Sequence, residues 1–471
     1  MTSTSMTTAA EPDGAPRVAS LDILRGIAIL GILFMNINAM GGAMESGWED
    51  LWRYGHSRAD EVAYFLRMTL ADGTARCLLE MLFGAGMVIL TDRAAAAAEA
   101  SGRSGRLWRI GHRLFGPLAV LRAYYWRNFV LFLFGVAHIF ILLWAGDILH
   151  TYGFAAMIAV LFRKLGPKML LALGLTMALL QLGGGAYSYV DRTAELQQVA
   201  AIEAKQKAGT ALTAPERKML ADVKDRKVKR DKREADANAR MAKEDVARSA
   251  ETGTFLSWAG AAWSITGFIQ AKGLEILFVW EAAATMLVGA ALFRWGVLQG
   301  ARSSRFYIIT LILAYGFGLS TRGIGAVEEI IGHVGPSITW ATMEVARLAT
   351  TLGHVALVHL LLRTVAGTRA LKPFEAAGRT ALSVYIAQTM VCLWVLYPPF
   401  MLGLYGQQGW AAWMLTALAV NAALLWGANV WVRHYSIAPV EWAWRSIVAW
   451  RRLPFRRRDV PSVGPAVPAA A

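Results

Sequence analysis

The chain has 471 residues, is 56% hydrophobic with 18 tryptophans, and carries a formal charge of +15. Soluble proteins rarely exceed about half apolar residues; here the excess is gathered into stretches long enough to cross roughly 30 Å of hydrocarbon as helix, which excludes an ordinary soluble enzyme. The basic residues sit in loops and at the tail, where membrane proteins keep Lys and Arg against an anionic leaflet, so the charge does not imply a nucleic-acid partner.

Residues 1–19 read as a disordered polar tail. The apolar run that follows, "SLDILRGIAILGILFMNI" (Ser20–Ile37), is too long for a signal-peptide core and opens with Asp22. From there the pattern predicts an all-α, polytopic transmembrane bundle of about ten spans: 21–40, 74–91, 126–145, 148–164, 168–189, 274–297, 305–321, 340–363, 378–398 and 410–432. The shorter Phe255–Gln270 reads as an interfacial helix or an eleventh span, the interfacial reading fitting the loop charges better. Basic loops at 92–125, 164–168, 298–304 and 364–377, and the basic tail, all fall on one side of such a bundle. The positive-inside rule then puts both termini in the cytoplasm.

Residues 191–254 interrupt the bundle on the exterior side, with 15 Lys/Arg and 12 Asp/Glu. Opposite charges recur at i,i+4 spacing among good helix formers, which predicts one or two long solvated helices with a break near "TALTAPE". The domain plan is therefore a tail (1–19), an N-terminal bundle with spans one to five (20–190), a charged helical insert (191–254), a C-terminal transmembrane region (255–445) and a basic tail (446–471). That last tail suits anionic lipid. The two cysteines, Cys77 and Cys392, lie far apart inside apolar runs, and no metal-ligand spacing occurs, so neither a disulfide nor a metal is expected.

A charge inside a bilayer costs about 2.5–3.5 kcal/mol at mid-depth, so each one asks for a reason. Asp22 and Arg25 stand three apart at the start of the first span; they form an anchoring ion pair or a site for an anionic group, since a guanidinium binds phosphate bidentately. Asn36 follows about 16 Å further along the same helix and either bonds a neighbouring helix or holds a reacting carbonyl. In "RNFVLFLFGVAHIFILLWAGDILHTYG" (Arg127–Gly153), His138 and His150 are candidate general bases and Asp147 the carboxylate that caps a helix or orients a histidine. Glu80 is the one acid of the second span, a structural partner, a proton carrier or a partner for Arg127, with Gly84 and Gly86 allowing close helix approach. Gln388 reads as interhelical glue. No P-loop, Rossmann glycine pattern, HExxH or GxSxG elbow occurs.

Five blocks carry a resemblance: "SLDILRGIAILGILFMNI", "LLEMLFGAGMVIL", "GVAHIFILLWAGDILHTYG", "GRTALSVYIAQTM" and "YSIAPVEWAWR". In this order they resemble the YeiB-like family of bacterial inner-membrane proteins, whose C-terminal half is domain of unknown function 418. The first block is also similar to the opening of membrane acyltransferases, the polysaccharide O-acetylases and the lysosomal heparan-α-glucosaminide N-acetyltransferase. That likeness implies an acyl-CoA co-substrate from the cytoplasm, with no permanently bound cofactor, and a surface glycan or small-molecule acceptor outside. The polysaccharide enzymes carry their histidine where this chain has Asn36; the heparan enzyme is similar in having Asn there. His56 lies too far on to match, which leaves His138 as the candidate base.

Beside a purely structural membrane protein whose basic tail binds anionic lipid, two functions follow. One is an acyltransferase with His138, Asp147 and Asn36 at the chemistry and Asp22, Arg25, Glu80, Arg127 and His150 around the substrate. The other is a transporter or channel without covalent chemistry. Either is expected in the bacterial cytoplasmic membrane.

Overall fold

The computed structural model describes residues 7–8, 17–100, 118–271 and 275–456. Most of the 1–19 tail, the arginines of 101–117 and the end of the basic tail lie outside these. The helices, in chain order, are α1 (Ala19–Gly41), α2 (Ser46–Glu49), α3 (Arg58–Leu66), α4 (Thr74–Ala100), α5 (Leu118–Phe140), α6 (Leu149–Ala159), α7 (Pro167–Gly174), α8 (Thr176–Lys207) and α9 (Ala214–Arg248). They continue as α10 (Phe255–Ala271), α11 (Glu275–Arg294), α12 (Ser304–Ile330), α13 (Thr339–Leu361), α14 (Val365–Arg379), α15 (Ala381–Val391), α16 (Trp410–His434) and α17 (Pro439–Val448). The only sheet among the described residues pairs Thr7–Thr8 with Arg17–Val18.

Every expected span contains a helix, but not every helix is built to cross. Six are long and apolar enough: those in Ala19–Gly41, Arg58–Ala94, Pro167–Lys207, Glu275–Arg294, Ser304–Ile330 and Trp410–His434. A seventh exists if α13 and α14 count as one span bent by 118°. Expected spans three, four and nine fall short. α5 carries Arg127, Asn128 and His138, which lower its hydropathy, while Leu149–Phe162 and Ala381–Leu396 are short. Six or seven of the ten expected spans therefore meet the length and hydropathy of a crossing helix. The third span ends at Phe140, five residues before its expected end, and Leu143 takes the left-handed conformation (φ 60°). Where the sequence reading places a loop at 364–377, the chain forms α14, capped by Thr364, whose hydroxyl accepts the Gly367 N–H at 3.0 Å.

α1 lies at the centre, with Leu24, Ile32, Leu33 and Ile37 almost wholly enclosed, packed on α4, α14 and α16. Its contact with α14 needs glycine on both sides: a Cβ on Gly26 would run into the Phe374 carbonyl and one on Gly378 into the Asp22 carbonyl. Bilayer helices gain their packing this way, by close backbone approach rather than by the hydrophobic effect. Gly84 serves the same purpose against Met286 of α11, whereas Gly86 meets nothing within 4 Å and faces the cavity described below. Cys77 and Cys392 are both buried and unpaired.

The charged insert is a pair of long helices, the end of α8 and all of α9. The break falls at Ala208–Thr213, where Thr213 and Glu216 form a reciprocal capping box. Its last turns are docked rather than free. Arg240 pairs with Glu45 at 2.9 Å, Asp245 with Arg53 at 2.8 Å, and buried Arg248 gives a 2.7 Å hydrogen bond to the Met40 carbonyl at the end of α1. Burial pushes the Glu244 carboxyl up from its ordinary value, against the pull of Arg248.

Candidate functional site

One cavity of about 300 Å³ opens beside the start of α1. Its rim gathers side chains from five helices: Asp22 and Arg25 from α1, Arg93 from α4, Arg127 from α5, Arg379 from α14, and Glu441 and Arg445 from α17. Among the described lining residues, five guanidiniums stand with two carboxylates. Arg25 Nη1 sits 2.7 Å from Asp22 Oδ1, the expected i,i+3 pair. The Arg127 guanidinium lies 4.1 Å above the Trp444 ring. Glu441 is taken up structurally, accepting the Leu382 and Ser383 N–H groups at 2.7 and 3.1 Å and so capping the start of α15. The deeper walls are apolar, with Leu79, Leu82, Met87, Leu131 and Leu149, and the inner end reaches Tyr385.

Behind Tyr385 lies a buried polar chain. The Tyr385 ring meets His138 edge-on with centroids 5.0 Å apart. His138 Nδ1 is 2.6 Å from Asp147 Oδ1, and its Nε2 is 2.9 Å from the Thr389 hydroxyl. Asp147 Oδ2 accepts the His150 backbone N–H at 3.0 Å and faces His150 Nδ1 at 2.9 Å. Both roles read for Asp147 are thus present together: it caps the start of α6 and orients His138. Close approach of this loop to α5 depends on Gly135, where a Cβ would strike the His150 N–H and Asp147 Oδ2. His150 Nε2 then meets Glu275 Oε1 at 3.1 Å. Among the described residues no group of three His, Cys, Asp or Glu side chains has the arrangement of a metal site.

Glu80 belongs elsewhere. Its carboxylate is 3.2 Å from Arg347 Nη1 and 3.6 Å from Arg76 Nε, in a buried network with Glu281 and Glu344. Arg76 and Arg347 both bond Glu281, at 2.6 and 2.8 Å, and Arg347 holds Glu344 at 2.8 Å. The partner of Glu80 is therefore not Arg127 but an arginine of α13. Asn36 is half-buried and stands apart from both the cavity lining and the histidine chain. His56 is half-exposed, bonded to Glu61 at 2.8 Å and stacked on Trp52. Gln388 acts as glue, donating to the Ile29 carbonyl and to Asn421 Oδ1 at 3.1 and 3.0 Å.

Of the expected site residues, Asp22, Arg25 and Arg127 meet at the cavity rim, and His138, Asp147 and His150 meet behind its inner end. Sequence reasoning missed Tyr385, Glu275, Arg445 and Arg347. Glu275 and Arg347 carried a readable signal, each being a charge at or within an apolar run; Tyr385 carried none.

The fold defines a multi-pass helical membrane protein with an arginine-lined cavity. Residues 292–451 match the family model described as "Protein of unknown function (DUF418)". Two relatives align over almost the whole chain. The uncharacterized protein YxaH of Bacillus subtilis (strain 168) is 29% identical over 446 residues, covering 91% of this chain and 94% of its own length. The uncharacterized protein YeiB of Escherichia coli (strain K12) is 25% identical over 439 residues, covering 92% of this chain and 96% of its own. The chain is thus similar to the DUF418 family over residues 292–451 and to these two relatives over nearly its whole length.

Proposed function

We propose that this protein is an acyltransferase of the bacterial cytoplasmic membrane. It takes acyl-CoA at the arginine-bearing end, on the cytoplasmic side, and passes the acyl group to a hydroxyl or amine acceptor, a surface glycan or a small molecule, from the other side. The observation that carries this reading is the cavity: a positive rim fit for phosphates opens into an apolar chamber that ends at Tyr385, with the His138–Asp147 pair directly behind. A chamber of about 300 Å³ suits an acyl chain and its thioester arm and leaves the nucleotide phosphates at the rim. In the transfer the thioester C–S bond breaks and a C–O or C–N bond forms. The acceptor's proton goes to His138, and the departing thiolate takes up a proton as CoA. His138 is sealed from the chamber by Tyr385, so the reading requires the Tyr385 ring to swing aside when the acceptor is bound.

The rival reading, a transporter or channel, rests on the ionisable residues within the spans. Of the residues that would line its path, Glu80 is tied into the Arg76–Glu281–Arg347 network and lines no part of this cavity, while His138 and Asp147 lie behind Tyr385.

Calorimetry with purified protein tests the donor site, with acetyl-CoA as ligand and CoA and ATP as comparators. Arg25→Ala is expected to weaken acetyl-CoA binding about tenfold, the loss of one charge-assisted contact. A folded wild-type protein that binds no acyl-CoA sinks the proposal.

A further inference from the structure

The polar chain does not end at His150. Glu275, the first residue of α11, continues it to a side chain that is 30% exposed, while the His138 and Asp147 side chains are wholly enclosed. We propose that Glu275, His150, Asp147 and His138 form one proton relay, joining the surface at the head of α11 to the cavity wall at Tyr385, with Glu275 as its outlet. Its part in turnover rests on the acyl-transfer reading; its existence as a relay does not.

Donor and acceptor accounting carries the argument. An ionised carboxylate only accepts, and each imidazole nitrogen either donates or accepts. Asp147 is approached by His138 Nδ1 at 2.6 Å, His150 Nδ1 at 2.9 Å and the His150 backbone N–H at 3.0 Å, so both rings donate from Nδ1. That leaves His150 Nε2 facing Glu275 Oε1 at 3.1 Å, and the Thr151 hydroxyl donates to the same oxygen at 2.9 Å. One proton must occupy the His150–Glu275 contact. It sits on nitrogen, making His150 an imidazolium between two carboxylates, or on oxygen, making Glu275 a neutral acid. Those states interconvert without moving a heavy atom.

At the other end, His138 Nε2 accepts from the Thr389 hydroxyl at 2.9 Å and is the one basic nitrogen left in the chain. A proton taken up there releases the Nδ1 proton to Asp147, and the negative charge that Asp147 thereby loses lets His150, whose Nδ1–H stays in place, give its Nε2 proton to Glu275 and so to the surface. The count balances: one proton enters at His138 and one leaves at Glu275. The titratable groups packed on this path are Tyr385 from α15, His138 from α5, Asp147 and His150 from the loop and head of α6, and Glu275 from α11. A purely structural cluster would not need its last member at the surface.

The test is ¹⁵N-imidazole NMR on the full chain in nanodiscs, assigned with His138→Gln and His150→Gln, and compared between the wild type and Glu275→Gln. A relay predicts that Glu275→Gln changes the protonation state of both His150 and His138 across pH 5–9, although His138 never touches Glu275. Glu275→Asp, which keeps the carboxylate, is expected to restore both. Unchanged His138 signals in folded Glu275→Gln overturn the relay. In parallel, CoA release from acetyl-CoA is expected to fall about tenfold or more in Glu275→Gln, with acetyl-CoA binding unchanged and rate returned by added formate. A wild type that binds and cleaves no acyl-CoA overturns the acyl-transfer reading alone, and the NMR still decides the relay.

Discussion

Around Arg347, two guanidiniums face three carboxylates inside the bundle; around Asp147, two imidazoles face two carboxylates. Both assemblies sit where charge is costly, and both are closed by short contacts. They differ in what the cation can do. A guanidinium stays protonated at any working pH, so the first set can only attract, and it ties α4, α11 and α13 together. An imidazole gives up its proton near neutrality, so the second set can change state. The first lines no part of the arginine-rimmed cavity; the second backs onto its inner end and reaches the surface at Glu275. Burial and charge alone do not mark a functional site. A titratable cation beside open space is what makes the second assembly a candidate.

Removing the fixed cation should have the largest effect. Arg347→Met leaves Glu80, Glu281 and Glu344 with Arg76 alone, and breaking a buried pair from one side costs about 3–5 kcal/mol. Thermal unfolding in detergent reads this as a large drop in Tm, and an unchanged Tm would dissolve the distinction drawn between the two assemblies. Asp147→Asn should cost less stability, about 1–3 kcal/mol, because the amide oxygen still accepts one histidine while the amide nitrogen opposes the other. CoA release should nevertheless be abolished, since a neutral amide passes no proton; a variant with wild-type turnover would remove Asp147 from the chemistry.

The smallest effect is expected where charge is fully exposed. Lys205 and the Thr213 cap hold the Glu216 carboxyl down to about 2. A depressed carboxylate contributes stability above its unfolded value, near 4.3, and loses it as pH falls from there towards about 2. Hydrogen exchange at the start of α9 should therefore quicken between about pH 4 and 2 while the bundle core is unaffected, and added salt should blunt the effect. Exchange that is independent of pH in that window would mean that the capping box contributes nothing.

Several features of the site were legible one element at a time. The Asp22–Arg25 pair follows from i,i+3 spacing, and the cap at His150 from a carboxylate just before a helix. The helical pair in the insert and its break at Thr213 follow from helix formers interrupted by "TALTAPE". Where partners come from distant segments, the reading failed or stopped short. Glu80 was legible as a paired residue, but Arg127 was the only partner the local pattern offered, and its partner is Arg347, 267 residues on. The docked end of α9 also escaped, because Arg248 and Asp245 look like any other charges of a solvated helix until they are set against Met40 and Arg53.

By itself, the sequence determined that the chain folds as apolar helices in a membrane. Hydrophobicity and length are local properties, and a backbone in hydrocarbon must satisfy its own hydrogen bonds as helix. It also determined which residues were too costly to be incidental. Only the tertiary structure decided how many helices are long enough to cross, that Tyr385 stands between the cavity and His138, and that Glu275 extends the histidine chain to the surface. Which side chains meet depends on how closely helices approach, set in part by the glycine contacts at Gly26, Gly378 and Gly135.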